Sequence, residues 1–488
     1  HKQCKLKQLR CSGIIVTIWY KYGVGIDCIW IGFRSVYETI TDMPELLKQF
    51  YIYCMIFTIH RGAEAGKNKV FLLVLDGLVY NFRDFTSNLT NFKYIAENGV
   101  SAERMVPPFP SDTWPTMTTL NTGLYTESHG ILKNRMFDEK RNLTFDYNQD
   151  NFLSYYGRFY SKEPFWLTNQ KQGGNSSVYR WPGHLAFDEK PKYHENESHI
   201  NAQHFTDARK AIDETFANLE KDSSLNFMVV YVDQPDPIGH KYGVNSTEYR
   251  NTIQRLDSEV VGYIKEKLKP HPNVDFIVVA DHGMADLTDN VTTVLYMDDW
   301  LKKDAYILKG FEMVSPTQNF TVDDLWRNLT KLNDTGMAEI YRQNDSTYDF
   351  PSRLHYKHDP RISPILVLPK PNWRIAKGRS KNLTFTIGQH GYDVKFKEMS
   401  TIFFAMGPSF KKNITMDPFE SVNLVPLMAN ILGVEAQPNN GTVNTFKNVL
   451  TPRVKHQTRN DERLKAKDRT KPIVGPDGLT EFTRFIYY

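Results

Sequence analysis

The sequence predicts an α/β protein built on a mostly parallel, doubly wound sheet with helices on both faces, plus an inserted cap region. Three observations support this expectation. Short apolar runs recur and end in acidic or histidine-containing turns, helical spacing fills gaps between them, and one long stretch shows neither pattern. The runs are VFLLVLDG (70–77), NFMVVYVD (226–233), DFIVVADHG (275–283), ISPILVLP (362–369) and MSTIFFAMG (399–407). A strand covered on both faces is apolar throughout instead of alternating, as in a parallel sheet buried between helix layers.

The helices follow from spacing. Phe205, Ala208, Ile212, Phe216 and Leu219 recur at three- and four-residue intervals, and Tyr249, Ile253, Leu256, Val260 and Ile264 do so again before Pro270. Strand, helix and strand thus alternate, and such sheets bind ligands at the carboxyl ends of their strands. Asp76, Asp233 and Asp281 stand where three strands are expected to end. Residues 284–360 lack strand alternation and are dense in Asn-x-Ser/Thr triplets, so 284–380 is expected to contain the inserted cap.

At 488 residues, 40% hydrophobic and 24% charged, the chain is long enough for one large α/β domain or two ordinary ones. A formal net charge of +4 is too mild to indicate a nucleic-acid surface, and no nucleic-acid-binding motif is present. All four cysteines (Cys4, Cys11, Cys28, Cys54) precede residue 55. Residues 43–65 read as a signal peptide: MPELLKQ carries a lysine, FYIYCMIFTI is apolar, and AEA offers a small-x-small cleavage site. A catalytic domain is then expected over 66–452, with 1–42 as an upstream segment and 453–488 as a polar tail. The alternative, a retained N-terminal membrane anchor, is weakened by Lys21 and Asp27 interrupting the run 11–33. Asn-x-Ser/Thr occurs at Asn88, Asn142, Asn175, Asn196, Asn245, Asn290, Asn319, Asn328, Asn333, Asn344, Asn382, Asn413 and Asn440. That density fits a secreted chain bearing N-linked glycans. No apolar span follows residue 453, which argues against a C-terminal anchor.

Candidate chemistry gathers at the expected strand ends. Asp76 alone is most simply a cap for the element that follows. Thr113, in the Pro-flanked turn FPSDTWPT (109–116), is expected at a helix N-terminus, where the dipole favours an oxyanion. Further along come Asp236 and His240, four residues apart, then adjacent Asp281 and His282, then His390. Asp and His donors at about 2.0–2.2 Å suit zinc. Two metals about 3.5–4 Å apart could clamp an attacking and a phosphoryl oxygen, which makes a coordinated threonine hydroxyl a feasible nucleophile.

The chain resembles the nucleotide pyrophosphatase/phosphodiesterase family of the alkaline phosphatase superfamily from about residue 69 to about 442. The matching stretches are VLDG (74–77), TWP (113–115), TGLYTESHGI (122–131), PFWLT (164–168), WPG (181–183), PDPIGHKYG (235–243), DHGM (281–284), RLHYKHDPRI (353–362), HGYD (390–393), GPSF (407–410) and PNNGT (438–442). The resemblance implies an alkaline phosphatase-like fold and two Zn2+ ions. Asp76, Thr113, Asp281 and His282 would bind one, and Asp236, His240 and His390 the other. Asn134 would donate its amide to a phosphate oxygen beside the Thr113 backbone N–H. Trp114 and Tyr193 would form the aromatic walls around a leaving nucleoside.

By the same resemblance Thr113 attacks phosphorus in an extracellular nucleotide or dinucleotide, a threonyl-nucleotide forms, and water releases the product. The chain is similar to shorter members that lack additional Cys-rich and nuclease-like modules. It departs from the family at Thr116 and Met117, where Asn-His usually stands, and in having no cysteine after residue 65. The first departure is expected to affect rate or substrate choice more than metal binding. The second is expected to lower stability, since a native disulfide commonly contributes about 2–5 kcal/mol. Two other functions compete: a choline-phospholipid phosphodiesterase, with Trp114 holding the quaternary ammonium, and a catalytically impaired secreted glycoprotein that only binds its ligand.

Overall fold

A computed structural model of the chain describes the backbone of 5–11, 14–20 and 30–32 and, in full, 68–138, 140–146, 159, 161–195, 205–287, 294–310, 312–380 and 386–452. The expected signal peptide, Cys4, Cys28, Cys54, the tail beyond 452, and Asn196, Asn290 and Asn382 lie outside the described residues. The chain divides into two units, His1–Lys67 and Asn68–Tyr488. In the first, Lys5–Cys11, Ile14–Tyr20 and Trp30–Gly32 pair as an antiparallel sheet. Among the described residues no helix is long and apolar enough to cross a membrane.

The second unit is built on an eight-stranded sheet. Its strands are β1 (Lys69–Asp76), β2 (Val100–Ala102), β3 (Asn175–Tyr179), β4 (Tyr193–His194), β5 (Leu225–Pro235), β6 (Val274–Ala280), β7 (Phe403–Met406) and β8 (Ile414–Met416), in the order β4-β3-β5-β1-β6-β7-β2-β8. Every pairing is parallel except the two made by β7. The mostly parallel sheet is thus as expected, and the run 399–407 supplies its one reversed strand.

Helices cover both faces, and β1 explains why its sequence has no alternation. Phe71, Leu73 and Leu75 point to one face, where they pack with Phe92 and Ile95 of α1 (Thr90–Asn98) and Ile212 and Phe216 of α3 (Phe205–Lys221). Val70, Leu72 and Val74 point to the other, against Met117 and Leu120 of α2 (Thr113–Thr122) and Leu427 and Met428 of α6 (Leu424–Leu432). Each such aliphatic side chain contributes about 1.5–3 kcal/mol by leaving water. Between α3 and β6 lie α4 (Asp236–Tyr242) and α5 (Thr247–Arg255), the latter continuing through a π turn at Leu256–Val261 into Gly262–Leu268. Tyr249, Ile253, Leu256, Val260 and Ile264, which share a face by helical spacing, are all fully buried.

The run 362–369 is a correction. Ile365–Pro369 does not join the central sheet but pairs antiparallel with Met313–Pro316 and Ala338–Arg342, in a four-stranded sheet completed by Tyr306–Lys309. Ile365 and Val367 pack on Leu325 and Leu329, whereas Leu366 and Leu368 pack on Phe109 and Ile131. Burial on two sides makes the run apolar throughout, so periodicity alone could not separate it from a strand of the parallel sheet. The stretch 284–360 also contains three of these strands, which its sequence does not announce.

Candidate functional site

The site lies where β1, β5 and β6 end. Asp76 is the last residue of β1, Asp281 follows β6 directly, and Asp236 opens α4 directly after β5. Thr113 is the first residue of α2, whose N-cap Asp112 is extended and whose C-cap Gly123 is left-handed (φ +69°). Pro115 is accommodated because N–H groups in a first helical turn have no carbonyl to bond. Asp233 lies within β5 and faces Arg180, 3.8 Å away, apart from these groups.

Three histidines share one orientation. Nδ1 of His282 lies 2.9 Å from the Gly283 carbonyl, Nδ1 of His240 lies 2.9 Å from that of Gly388, and Nδ1 of His390 lies 3.0 Å from that of Ser111. A carbonyl only accepts, so each Nδ1 carries a hydrogen and each ring turns its Nε2 inward, where it can offer a lone pair to a cation. The inward atoms crowd together. His282 Nε2 stands 3.5 Å from Asp76 Oδ1, 3.3 Å from Asp281 Oδ2 and 3.2 Å from Thr113 Oγ1. His390 Nε2 stands 3.6 Å from Asp236 Oδ1 and 3.1 Å from His240 Nε2, and the His282 and His390 rings stack at 3.7 Å.

The carboxylates complete the pattern. Asp281 Oδ1 accepts from the N–H of Gly77 at 3.0 Å and of His282 at 2.8 Å, and Asp76 Oδ2 accepts from the Tyr231 hydroxyl. Their other oxygens, Asp281 Oδ2 and Asp76 Oδ1, and likewise Asp236 Oδ1, are buried without any hydrogen bond. Burial, with Asp281 and Asp236 beside it, pushes the Asp76 carboxyl well above the carboxylate range, and burial pushes Asp281 up to about 7. Burial lowers His282. Orphaned carboxylate oxygens facing inward lone pairs repel one another unless a cation lies between them. Among the described residues two groupings could hold a metal ion, Asp76–Asp281–His282 and Asp236–His282–His390, the donor atoms of each lying within 4.8 Å of one another. His240 joins the second through its Nε2, 3.4 Å from Asp236 Oδ1.

The family model for type I phosphodiesterase/nucleotide pyrophosphatase matches residues 70–393. The chain belongs to that family. It is 30% identical to human ectonucleotide pyrophosphatase/phosphodiesterase family member 5 over 84% of this chain and 84% of the relative. It is 31% identical to the Xenopus laevis protein named bis(5'-adenosyl)-triphosphatase enpp4, over 82% of this chain and 85% of the relative. A solved structure of murine ectonucleotide pyrophosphatase/phosphodiesterase 5, an inactive threonine-to-alanine variant in complex with AMP, matches with a TM-score of 0.71 and 29% identity, covering 79% of this chain and 100% of that one. The fold is therefore the alkaline phosphatase-like fold of the pyrophosphatase/phosphodiesterases, and this member is a hydrolase of the same class.

Against that family expectation, the residues thought to contact substrate fall differently from the metal set. Asn134 accepts the Trp114 N–H on Oδ1 at 2.9 Å, so its amide is tied to the first turn of α2. Trp114 is not an open platform: it is 2% exposed and meets Phe145 edge-to-face, with ring centroids 5.7 Å apart. Tyr193 is not at this pyrophosphatase/phosphodiesterase site. It lies on edge strand β4, and its hydroxyl donates at 3.0 Å to Asp222, which precedes β5 at the amino ends of the strands. Thr116 and Met117 are buried, Met117 on the sheet beneath α2, so the departure from Asn-His lies in the core.

Sequence reasoning missed Tyr231, Ser111, Asp112 and Lys133. Tyr231 is the one hydroxyl in the run VVYVD, a usable signal. Ser111 supplies the carbonyl that orients His390, and Asp112 Oδ1 stands 3.4 Å from the same Nδ1. The Lys133 ammonium beside Asp112 holds that carboxyl well below the usual range against the opposing effect of burial.

Proposed function

We propose that this chain is a secreted nucleotide pyrophosphatase/phosphodiesterase that holds two zinc ions and reacts through Thr113. What supports this most directly is the donor set: three orphaned carboxylate oxygens and three inward imidazole lone pairs converge beside one threonine hydroxyl at a helix N-terminus. Asp and His donors fit zinc. Asp76, Asp281 and His282 with Thr113 would hold one ion, and Asp236, His240 and His390 the other. When bound, such a pair supplies Lewis-acid stabilisation of charge on the phosphoryl oxygens and on the attacking oxygen.

The chain's own residues do the rest. Thr113 Oγ1 forms a bond to phosphorus, the bond to the departing alcohol or phosphate oxygen breaks, and the hydroxyl proton leaves to solvent. Water then attacks the same phosphorus, the bond from phosphorus to Thr113 Oγ1 breaks, and that oxygen takes up a proton in place of the one the attacking water gives up. The Thr113 N–H, which has no intrahelical acceptor, and the Asn134 NH2 face the developing charge. Trp114 N–H engages the Asn134 carbonyl and so fixes which way that NH2 turns.

Nucleotide substrates are favoured by the kind of molecule associated with the relatives, one named as a bis(5'-adenosyl)-triphosphatase and one solved with AMP. The choline alternative loses its anchor, because cation–π attraction needs an open ring face and Trp114 is buried. Export is supported by sequons exposed in left-handed turns at Asn88, Asn142, Asn344 and Asn413. A substrate panel on protein with measured metal content tests the reading. ATP and diadenosine triphosphate are expected to be cleaved, and glycerophosphocholine and lysophosphatidylcholine spared; the reverse pattern would sink the nucleotide assignment.

A further inference from the structure

Lys133 is buried in a way the proposed chemistry does not use. Its Nζ lies 3.1 Å from Asp112 Oδ2 and 2.7 Å from Glu312 Oε2, and all three side chains are a tenth exposed or less. Both carboxylates hold the ammonium, so it is not aimed at a phosphate. Asp112 directly precedes Thr113, and Lys133 directly precedes Asn134. The Asp112–Lys133 pair and the Trp114 N–H bond to Asn134 therefore staple the same two turns at neighbouring positions.

Glu312 comes from elsewhere. It sits between strands Tyr306–Lys309 and Met313–Pro316 of the separate antiparallel sheet, and its carbonyl accepts the Val367 N–H of the next strand at 2.8 Å. The Lys133 stem passes under the same hairpin: a Cβ on Gly310, which has φ +67°, would lie 3.4 Å from Lys133 Cε. Tyr356 makes a second tie, donating to the Leu132 carbonyl at 3.2 Å. An exposed ion pair would hold little, but a buried one leaves an uncompensated charge when either partner goes, so it sets a defined geometry.

We propose that Lys133 and Glu312 are positioning residues through which the antiparallel sheet holds Asn134 against the turn that carries Thr113. This rests on the phosphodiesterase reading with Asn134 as oxyanion donor. A displacement near 1 Å at such a donor can lower turnover by about 100-fold, whereas metal binding, which depends on other side chains, stays intact.

A double-mutant cycle on the metal-loaded full chain tests this, with bis(p-nitrophenyl) phosphate as probe and metal content measured on each sample. Lys133→Met is expected to lower kcat by about 10- to 100-fold with KM little changed and wild-type metal content, and Lys133→Arg to recover part of the loss. In an Asn134→Ala background, Lys133→Met should cost less than about twofold, because it acts through the missing amide. Additive effects, or loss of metal in Lys133→Met, would overturn the proposal. If Lys133→Met does not fold, Glu312→Leu decides: it keeps the Asp112 pair and removes the side-chain acceptor that ties Lys133 to the antiparallel sheet. A fall in kcat of about threefold or more with full metal supports the proposal, and a wild-type kcat overturns it. Wild-type protein that turns over no phosphodiester overturns the functional reading and this inference together, whereas active wild type with additive variants overturns this one alone.

Discussion

The two sides of the site behave differently. The candidate metal ligands Asp76, Asp236, His240, Asp281, His282 and His390 lie in one cluster, whereas of the two aromatics expected around a substrate Trp114 is buried and Tyr193 lies at the opposite end of the strands. The difference is one of attachment. Asp76, Asp236 and Asp281 are tied to strands whose register is set by a buried sheet, and a one-residue slip would turn a whole apolar face to water. Trp114 lies in the first turn of α2 and Tyr193 on the two-residue edge strand β4, short stretches whose local sequence carries little about which way a side chain faces.

Replacing Thr113 by Ala should have the largest effect on rate and should fall entirely on the metal-facing side. Turnover is expected to drop by about 1,000-fold or more with metal groups and fold retained, checked by steady-state rates beside a melting curve; wild-type rates would remove the covalent mechanism. Trp114→Ala probes the other side. As a core residue packed on Phe145, its loss should lower unfolding free energy by about 3–5 kcal/mol, read from urea denaturation. A raised KM for ATP with unchanged stability would instead return Trp114 to the substrate walls.

Stripping the metal gives a pH signature. In metal-free protein the folded-state Asp281 carboxyl sits at about 7, and Asp76 is shifted the same way. Unfolded aspartate titrates near about 3.9, so the folded state binds protons more tightly between these values. Stability from these groups is therefore full below about pH 4 and lost as pH rises through about 7. The gap in Tm between zinc-loaded and EDTA-stripped protein should widen over that window; a constant gap would separate the carboxylates from metal binding. The smallest effect is expected from Tyr193→Phe, which removes only the bond to Asp222. It should lower stability by about 1 kcal/mol and leave KM for every nucleotide unchanged, and a raised KM would restore Tyr193 to the site.

Much of the fold was legible because burial on both faces writes itself into composition. The runs ending at Asp76 and preceding Asp281, and the five apolar positions from Tyr249 to Ile264, led directly to strands and helices. The same signal misled at Ile365–Pro369, since a strand buried between two clusters has the same composition in any sheet. Sequence alone determined the main strands of the central sheet, Asp76 and Asp281 at the ends of two of them and, through family resemblance, which histidines to expect beside them. Only the tertiary structure decided that Nδ1 of each histidine is held by a carbonyl, that Trp114 is covered, that Tyr193 faces Asp222, and that Glu312 reaches Lys133 across 179 residues. Those are long-range contacts between side chains. Their partners are chosen by packing and desolvation in three dimensions, of which local periodicity keeps no record.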